Sequence, residues 1–142
     1  MYFTDVSINI WIVLLAGIAS MVVGFLYYSP LLFGKPWMRE MGFTPEKMAA
    51  MRKEKNMGRI YGLSFLVSLV TAYVLAIVLS LLGVVEVAEA IKVGVFCWVG
   101  FVAPMKFTDV LFAGKSRTLF ALDAGYQLVS LIAMSIVFAY WL

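Results

Sequence analysis

Histidine is absent from this 142-residue sequence, and cysteine occurs once, as Cys97. The lack of histidine removes the commonest metal ligand and the commonest general base near neutral pH. One cysteine cannot form an intrachain disulfide, and Cys97 lies inside an apolar run, where we expect a small buried residue. We therefore predict no metal, no cofactor and no catalytic residues.

Charged residues are also scarce, at 13% of the chain against 64% hydrophobic residues. A soluble domain carries roughly a quarter charged residues, so most of this chain cannot face water. Phosphate-binding glycine loops, metal-ligand spacings and nucleophile elbows do not occur in the sequence, and we do not expect an enzyme. The net charge of +3 is concentrated between Lys35 and Arg59, which is typical of a membrane-flanking loop and does not support nucleic-acid binding.

Long apolar runs make up the rest of the chain. A helix needs about 20 apolar residues to cross a bilayer. The first run follows an acidic start at Asp5 and is too long for a cleavable signal peptide, so we interpret it as a retained helix. We predict one all-α membrane domain, residues 1–142, in which four transmembrane helices form an antiparallel bundle. The helices are expected at roughly 8–28, 60–82, 91–112 and 119–141.

The basic residues predict the orientation of the helices in the membrane. The loop at roughly 29–59 holds most of them, and the third loop holds Lys115 and Arg117, whereas the second loop and both tails hold only Lys92. We therefore expect the first and third loops in the cytoplasm and both termini outside. The basic residues of the first loop are Lys35, Arg39, Lys47, Arg52, Lys53, Lys55 and Arg59.

The first loop is long enough to contain a helix of its own. Thr44-Pro45-Glu46 has the features of a helix start, with an N-capping threonine, proline at the first position and an acid in the first turn. The sequence predicts a short helix over 46–56 that lies in the headgroup layer and contacts anionic lipid headgroups. A solvated cytoplasmic helix is the alternative.

Small residues recur at every fourth position in three of the predicted helices, a spacing that lets membrane helices pack closely. We interpret these rows as packing faces inside the monomer, and a subunit interface is the alternative. Four short helices leave little room for an internal cavity, so a solute pathway would favour a homo-oligomer. The rows are Ala16, Ser20 and Gly24; Ser64, Ser68, Ala72, Ala76 and Ser80; and Ala121, Gly125 and, skipping Val129, Ala133.

Ionisable residues inside membrane helices are costly and indicate a candidate functional site. Lys106 and Asp109 are three residues apart, so they share a helix face and are expected to pair. Asp123 lies near the same membrane boundary on the fourth helix, with Tyr126 and Gln127 beside it. One hypothesis is a polar pocket that binds a small solute or ion, with Asp123 holding a cation or a proton. The alternative is a structural ion-pair cluster from which Lys106 extends towards water.

Aromatic residues cluster near the predicted helix ends, as in the aromatic belts that membrane proteins place at the two water boundaries. They are Tyr27, Tyr28, Trp37, Tyr140 and Trp141.

The third helix contains a proline, Pro104, which removes one backbone hydrogen bond. Together with Gly100, this proline predicts a kink in the helix.

The segment from Phe25 to Trp37, FLYYSPLLFGKPW, is the most specific of several stretches that resemble one family. That family consists of small bacterial membrane proteins and is called domain of unknown function 1761. The later stretches WVGF, LFAGK and AGYQL, which start at Trp98, Leu111 and Ala124, are similar to the second half of the family. The resemblance implies four membrane helices in a bacterial cytoplasmic membrane and carries no activity. Two functions stay open: small-solute or ion binding and transport, or a structural or lipid-interacting oligomer without transport.

Overall fold

The computed structural model describes residues 5–54 and 56–141, and within them the chain is helical and contains no β-strand. Seven α-helices and one π-helical segment follow one another. They are α1 (Ile10–Tyr27), α2 (Gly34–Met41), α3 (Pro45–Glu54), α4 (Met57–Leu81), α5 (Val87–Cys97), the π-helical segment (Trp98–Val102), α6 (Ala103–Phe112) and α7 (Arg117–Trp141).

Four stretches of helix are long and apolar enough to cross a membrane, which confirms the predicted number of candidate spans. They correspond to α1, α4, α7 and the continuous helix Val87–Phe112, which joins α5, the π-helical segment and α6. α4 begins at Met57, earlier than predicted, because the Asn56 side chain caps its first turn. The Oδ1 atom of Asn56 accepts a hydrogen bond from the backbone N–H of Arg59 at 3.2 Å.

The loop between α1 and α4 contains two helices where the sequence predicted one. α3 starts as predicted, with Thr44 Oγ1 accepting a hydrogen bond from the Lys47 N–H at 3.1 Å. α2 was not predicted, because it is only eight residues long, contains Pro36 and is directly followed by Gly42. It ends at Gly42, whose φ of +73° is the left-handed conformation that glycine adopts at helix ends.

α7 is the central helix of the structure, with α1 packed along one side of it and α5 along another. The core is formed by apolar residues of α1, α4, α5 and α7, among them Val13, Ala76, Met134 and Phe138, all buried. Ser20 of α1 and Ser130 of α7 share a buried hydrogen bond of 2.6 Å. A hydroxyl pair of this kind satisfies both polar groups without water, so it suits an apolar interior.

The small-residue row on α4 divides into two halves. Ala72 and Ala76 are fully buried in the core, Ser68 and Ser80 are half-buried, and Ser64 is exposed. Within the monomer, Ser64 therefore makes no packing interface. The reason is that the first half of α4 lies against α1, where Phe65 and Leu69 approach Gly17, and stands away from α7.

The rows on α1 and α7 face each other more closely. Ala16 and Ser20 are buried, and Gly24 lies against Tyr126, whose hydroxyl would be 3.2 Å from a Cβ added to that glycine. On α7, Gly125 faces Tyr27 in the same way, whereas Ala121 is exposed and Ala133 is half-buried. Glycine at positions 24 and 125 therefore makes room for tyrosine rings.

Just before Pro104, where the sequence predicted a kink, the helix contains the π-helical segment. The N–H of Ala103 bonds to the carbonyl of Trp98, five residues back, and Pro104 has no N–H to donate. Within this segment the Trp98 indole N–H donates to the carbonyl of Ala124 on α7 at 2.8 Å. The segment thus connects the helix Val87–Phe112 to α7 just below the polar residues around Asp123.

Candidate functional site

A cavity of about 620 Å³ lies where α1 ends and α7 begins, and α2 and α3 form its outer wall. We call this cavity the basic pocket. Its apolar wall includes Trp37, Met38 and Met41 of α2 and Met48 of α3. Its charged and amide-bearing residues come from five helices or loops and are Lys35, Arg52, Lys106, Lys115, Asp123 and Gln127.

Tyrosines from the end of α1 hold the basic pocket to α7. The hydroxyl of Tyr27 donates to the Leu122 carbonyl at 2.6 Å, and that of Tyr28 donates to Asp123 Oδ1 at 2.7 Å. Tyr27 is only 9% exposed. Both rings also contact Tyr126, with centroids 5.8 and 5.3 Å away. Tyr27 and Tyr28 therefore point inwards and form hydrogen bonds within the protein, which is not the role of outward-facing belt residues.

Trp37 extends this aromatic group onto α2. Its ring lies 5.7 Å from that of Tyr28, in an edge-to-face arrangement that aromatic pairs favour. At the other end of the structure Tyr140 and Trp141 are 67% and 58% exposed, as residues of an aromatic belt would be.

The predicted pairing of Lys106 with Asp109 is not what the structure shows. Asp109 pairs with Lys115, at 3.8 Å, because Gly114 turns the chain with a φ of +69°. The backbone N–H of Lys115 also bonds to the Asp109 carbonyl at 3.3 Å. Lys106, Asp109, Lys115 and Asp123 do meet around a small cavity of about 30 Å³ beside the basic pocket. Lys106, Asp109 and Asp123 therefore lie near one another, but the ion pair of Asp109 is with Lys115 and not with Lys106.

The charge balance of the basic pocket is positive. Within residues 5–54 and 56–141, the ion pairs shorter than 4.0 Å are Lys92–Glu89 and Lys115–Asp109. If Lys115 is counted as neutralised, Lys35, Arg52 and Lys106 remain against the single carboxylate of Asp123. That carboxylate already accepts the Tyr28 hydroxyl. A cavity surrounded by an excess of cations attracts anions, so the geometry does not favour Asp123 as a cation site.

Lys35 and Arg52 were not predicted as site residues. Both are on the first loop, where the sequence showed them only as part of a basic stretch. Nothing in their spacing indicates that α2 and α3 fold over the end of α7. Ser116 gives the clearest structural reason for this placement, because its hydroxyl donates to Glu40 of α2 at 2.7 Å.

Gln127 lines both the basic pocket and a second cavity of about 420 Å³. We call this second cavity the lateral groove; it lies between Ser20 and Met21 of α1, the stretch 60–71 of α4, and the stretch 126–134 of α7. The Gln127 amide has no hydrogen-bond partner among the described residues. Tyr126 lines both cavities as well, and its hydroxyl lies 3.5 Å from the Ser20 carbonyl.

Metal coordination has no support in the described ranges, since no three histidine, cysteine, aspartate or glutamate side chains there are grouped closely enough to hold an ion. The polar side chains of the two cavities include cations, hydroxyls, the amide of Gln127 and the carboxylate of Asp123. These groups bind ligands by charge attraction and hydrogen bonding.

These features define the class: an all-helical protein with four helices able to cross a membrane and a polar pocket at one end of them. Residues 11–139 match the family described as "Protein of unknown function (DUF1761)", and the chain belongs to that family. The resemblance seen in the sequence is thereby confirmed. No curated protein and no solved structure matches the chain.

Proposed function

We propose that this protein is a multipass membrane protein that binds a small anionic group in the basic pocket, without catalysis. The observation that carries the proposal is the excess of cations around this cavity. Lys35, Arg52 and Lys106 face it without an ion-pair partner among the described residues, and Asp123 is the one carboxylate that lines it. Charge-assisted hydrogen bonds from lysine and arginine are the usual means of holding a phosphate or carboxylate.

The proposed arrangement is an antiparallel bundle with the basic pocket on the cytoplasmic side of a bacterial inner membrane. Two contacts support opposite directions for α1 and α7: Tyr28 with Asp123, and Ser20 with Ser130. The excess of basic residues in the first and third loops supports the orientation. α3 then lies at the headgroup layer, where Arg52 extends to the pocket.

Binding fits this monomer better than transport through it. The basic pocket opens at one end of the helices, and at the other end Val13, Ala76, Leu79 and Phe138 pack into a closed core. A solute held by Lys106 therefore has no open path through the described core of one chain.

The binding proposal is tested with glycerol 3-phosphate as the probe and calorimetric titration of the purified protein in a neutral detergent. Lys106→Gln should weaken binding about tenfold, because it removes one charge-assisted hydrogen bond. Lys47→Gln is the matched control, since Lys47 is exposed on α3 and does not line the pocket. Equal losses in both variants, or no binding to the parent protein, would refute the proposal.

Asp123→Asn separates an anion site from the cation site that the sequence suggested. Asparagine keeps an oxygen to accept the Tyr28 hydroxyl, so the local structure should persist, while the one carboxylate that lines the pocket among the described residues is removed. Affinity for glycerol 3-phosphate should rise about threefold to tenfold, since one unfavourable charge is lost. A loss of phosphate binding, with binding of a cation to the parent protein, would instead support the cation hypothesis.

A structural homo-oligomer is the second candidate function, and the surface of α4 favours it. Gly58 and Gly62, four residues apart, are exposed, and a Cβ added to Gly62 would meet no atom within 4 Å. Small residues at this spacing let a second copy approach closely. Native mass spectrometry from mild detergent should then show a defined oligomer that Gly62→Leu dissociates, whereas a monomer in the parent protein would exclude this candidate.

A further inference from the structure

The basic pocket and the lateral groove are neighbouring cavities that share the lining residues Tyr126 and Gln127. Together they extend from the cations at the end of the helices to the space between the first half of α4 and α7. The lateral groove ends where Ala72 and Ala76 enter the core. A ligand that fills both cavities therefore has one end in a cationic environment and the other beside the middle of the helices.

The groove changes in chemical character along its length. Next to the basic pocket lies the amide of Gln127, which has no hydrogen-bond partner in the part of the chain that the structure describes, with the hydroxyls of Ser64 and Ser68 across the groove on α4. The remaining wall includes the apolar side chains of Leu63, Val67 and Met134. α4 makes few contacts with α7, and Leu63 and Val67 of the groove are 51% and 68% exposed, so in a bilayer these side chains would face hydrocarbon.

The order of cation, hydrogen-bond donor and apolar wall matches the order of groups in one class of molecule. A phospholipid carries a phosphate, then glycerol with ester carbonyls, then acyl chains. The phosphate suits Lys35, Arg52 and Lys106, and the ester carbonyls can accept from the amide of Gln127. An acyl chain suits an apolar wall that opens to hydrocarbon.

We propose that the ligand is a phospholipid with a net negative headgroup, whose phosphate occupies the basic pocket and one of whose acyl chains lies in the lateral groove. This inference rests on the proposed function and specifies its ligand class. It also explains why the two cavities meet at Gln127: the amide lies at the boundary between headgroup and chain, where it can replace lost water contacts of a buried ester.

The test compares three soluble probes in the same titration: glycerol 3-phosphate, dihexanoyl phosphatidylglycerol and dihexanoyl phosphatidylcholine. We expect dihexanoyl phosphatidylglycerol to bind at least about tenfold more tightly than glycerol 3-phosphate, because its chains bury apolar surface in the groove. Phosphatidylcholine, which has the same chains and no net charge, should bind about tenfold more weakly than phosphatidylglycerol.

Ser64→Leu fills the groove at an exposed position and should remove most of the gain that the chains provide. Binding of glycerol 3-phosphate should stay unchanged, since Ser64 does not line the basic pocket. Ala121→Leu is the matched control, an exposed small residue on α7 that lines neither cavity. If Ser64→Leu does not fold, Val67→Trp blocks the same groove from a position that is 68% exposed.

Each failure of this experiment has a distinct meaning. If glycerol 3-phosphate binds through Lys106 and the dihexanoyl lipid binds no more tightly, the lipid inference is overturned and the anion pocket stands. If the lipids bind equally whatever their charge and Lys106→Gln has no effect, both proposals are overturned. If Ser64→Leu changes the number of subunits and leaves lipid affinity intact, a second copy covers the groove, and the lipid inference is again overturned.

Discussion

At the scale of single residues, the site depends on tyrosine hydroxyls that find partners on α7. Tyr27 and Tyr28 are consecutive, yet one bonds to a backbone carbonyl and the other to the Asp123 side chain. Buried hydroxyls without a partner are costly, so each bond restrains the end of α1 against α7. Sequence position alone suggested membrane-boundary residues, because tyrosine is common both at boundaries and in buried hydrogen bonds.

Gly125→Ala tests whether the hydrogen bond of Tyr27 restrains the end of α1 against α7. A Cβ at that position would lie 2.7 Å from the Tyr27 hydroxyl, so Gly125→Ala must displace Tyr27 and break its bond to Leu122. We expect the free energy of unfolding to fall by about 2 kcal/mol, measured by denaturant unfolding in detergent micelles followed by circular dichroism.

Gly100→Ala is the control for this substitution. It adds the same methyl group in open space in the π-helical segment, where alanine should be neutral or stabilising by about 0.5–1 kcal/mol. Equal stability of the Gly125→Ala and Gly100→Ala proteins would show that the contact between Tyr27 and α7 contributes nothing.

At the scale of helices, the site depends on α2, a helix that the sequence did not predict. α2 contributes Lys35, Trp37 and Met38 to the basic pocket and is tied to the start of α7 through Glu40 and Ser116. Local signals for α3 were strong, with a capping threonine and a first-turn proline. α2 lacks a side-chain cap, so its position depends on contacts with α7 that no local pattern encodes.

Gly34 fixes the position of α2 relative to α1. It is buried, and a Cβ there would collide with the backbone carbonyl oxygens of Tyr28 and Ser29. Gly34→Ala should therefore displace α2, lower stability by about 2 kcal/mol or more, and weaken glycerol 3-phosphate binding about tenfold. Calorimetric titration and thermal unfolding of the same preparation measure the two effects.

The control for Gly34→Ala is Gly42→Ala, at the other end of the same helix. Gly42→Ala places a side chain at a φ of +73° but in open space, so it should cost about 1 kcal/mol and leave phosphate affinity unchanged. Parent-like phosphate binding by the Gly34→Ala protein would mean that α2 does not shape the pocket.

At the scale of the whole molecule, the orientation in the membrane decides which compartment the basic pocket faces. The proposal places the loop that contains Arg52 and Lys53 in the cytoplasm and the Glu86–Glu89 connection outside. Both segments are exposed outside the four candidate spans or near their ends, so an introduced cysteine there should be open to reagents.

Cysteine labelling in intact cells measures this orientation. In a Cys97→Ala background, Glu89→Cys should react with a membrane-impermeant maleimide, and Lys53→Cys should react only after the cells are permeabilised. The background variant alone gives the unspecific signal. Labelling of Lys53→Cys in intact cells, with protection of Glu89→Cys, would reverse the orientation and place the basic pocket outside.

Length and apolar runs were enough to predict four candidate spans, the capping residues Thr44 and Pro45 were enough to predict the start of α3, and the motif from Phe25 to Trp37 indicated the family. These properties can be read from short stretches of the chain, because a helix of about 20 apolar residues is long enough to cross a bilayer whatever its neighbours are. The proximity of Lys106 and Asp123 at one end of their helices followed in the same way, by counting residues from a predicted helix end.

The tertiary structure decided which of these residues meet, and thereby the excess of cations over carboxylates among the described residues that line the basic pocket. Lys35 and Arg52 reach the pocket only because α2 and α3 fold back over α7, and Asp109 turns to Lys115 because of the chain reversal at Gly114. The lateral groove exists because α4 packs on α1 along its first half and joins the core only from Ala72 onwards. Such contacts depend on side-chain shape across distant segments, which periodicity and composition do not record.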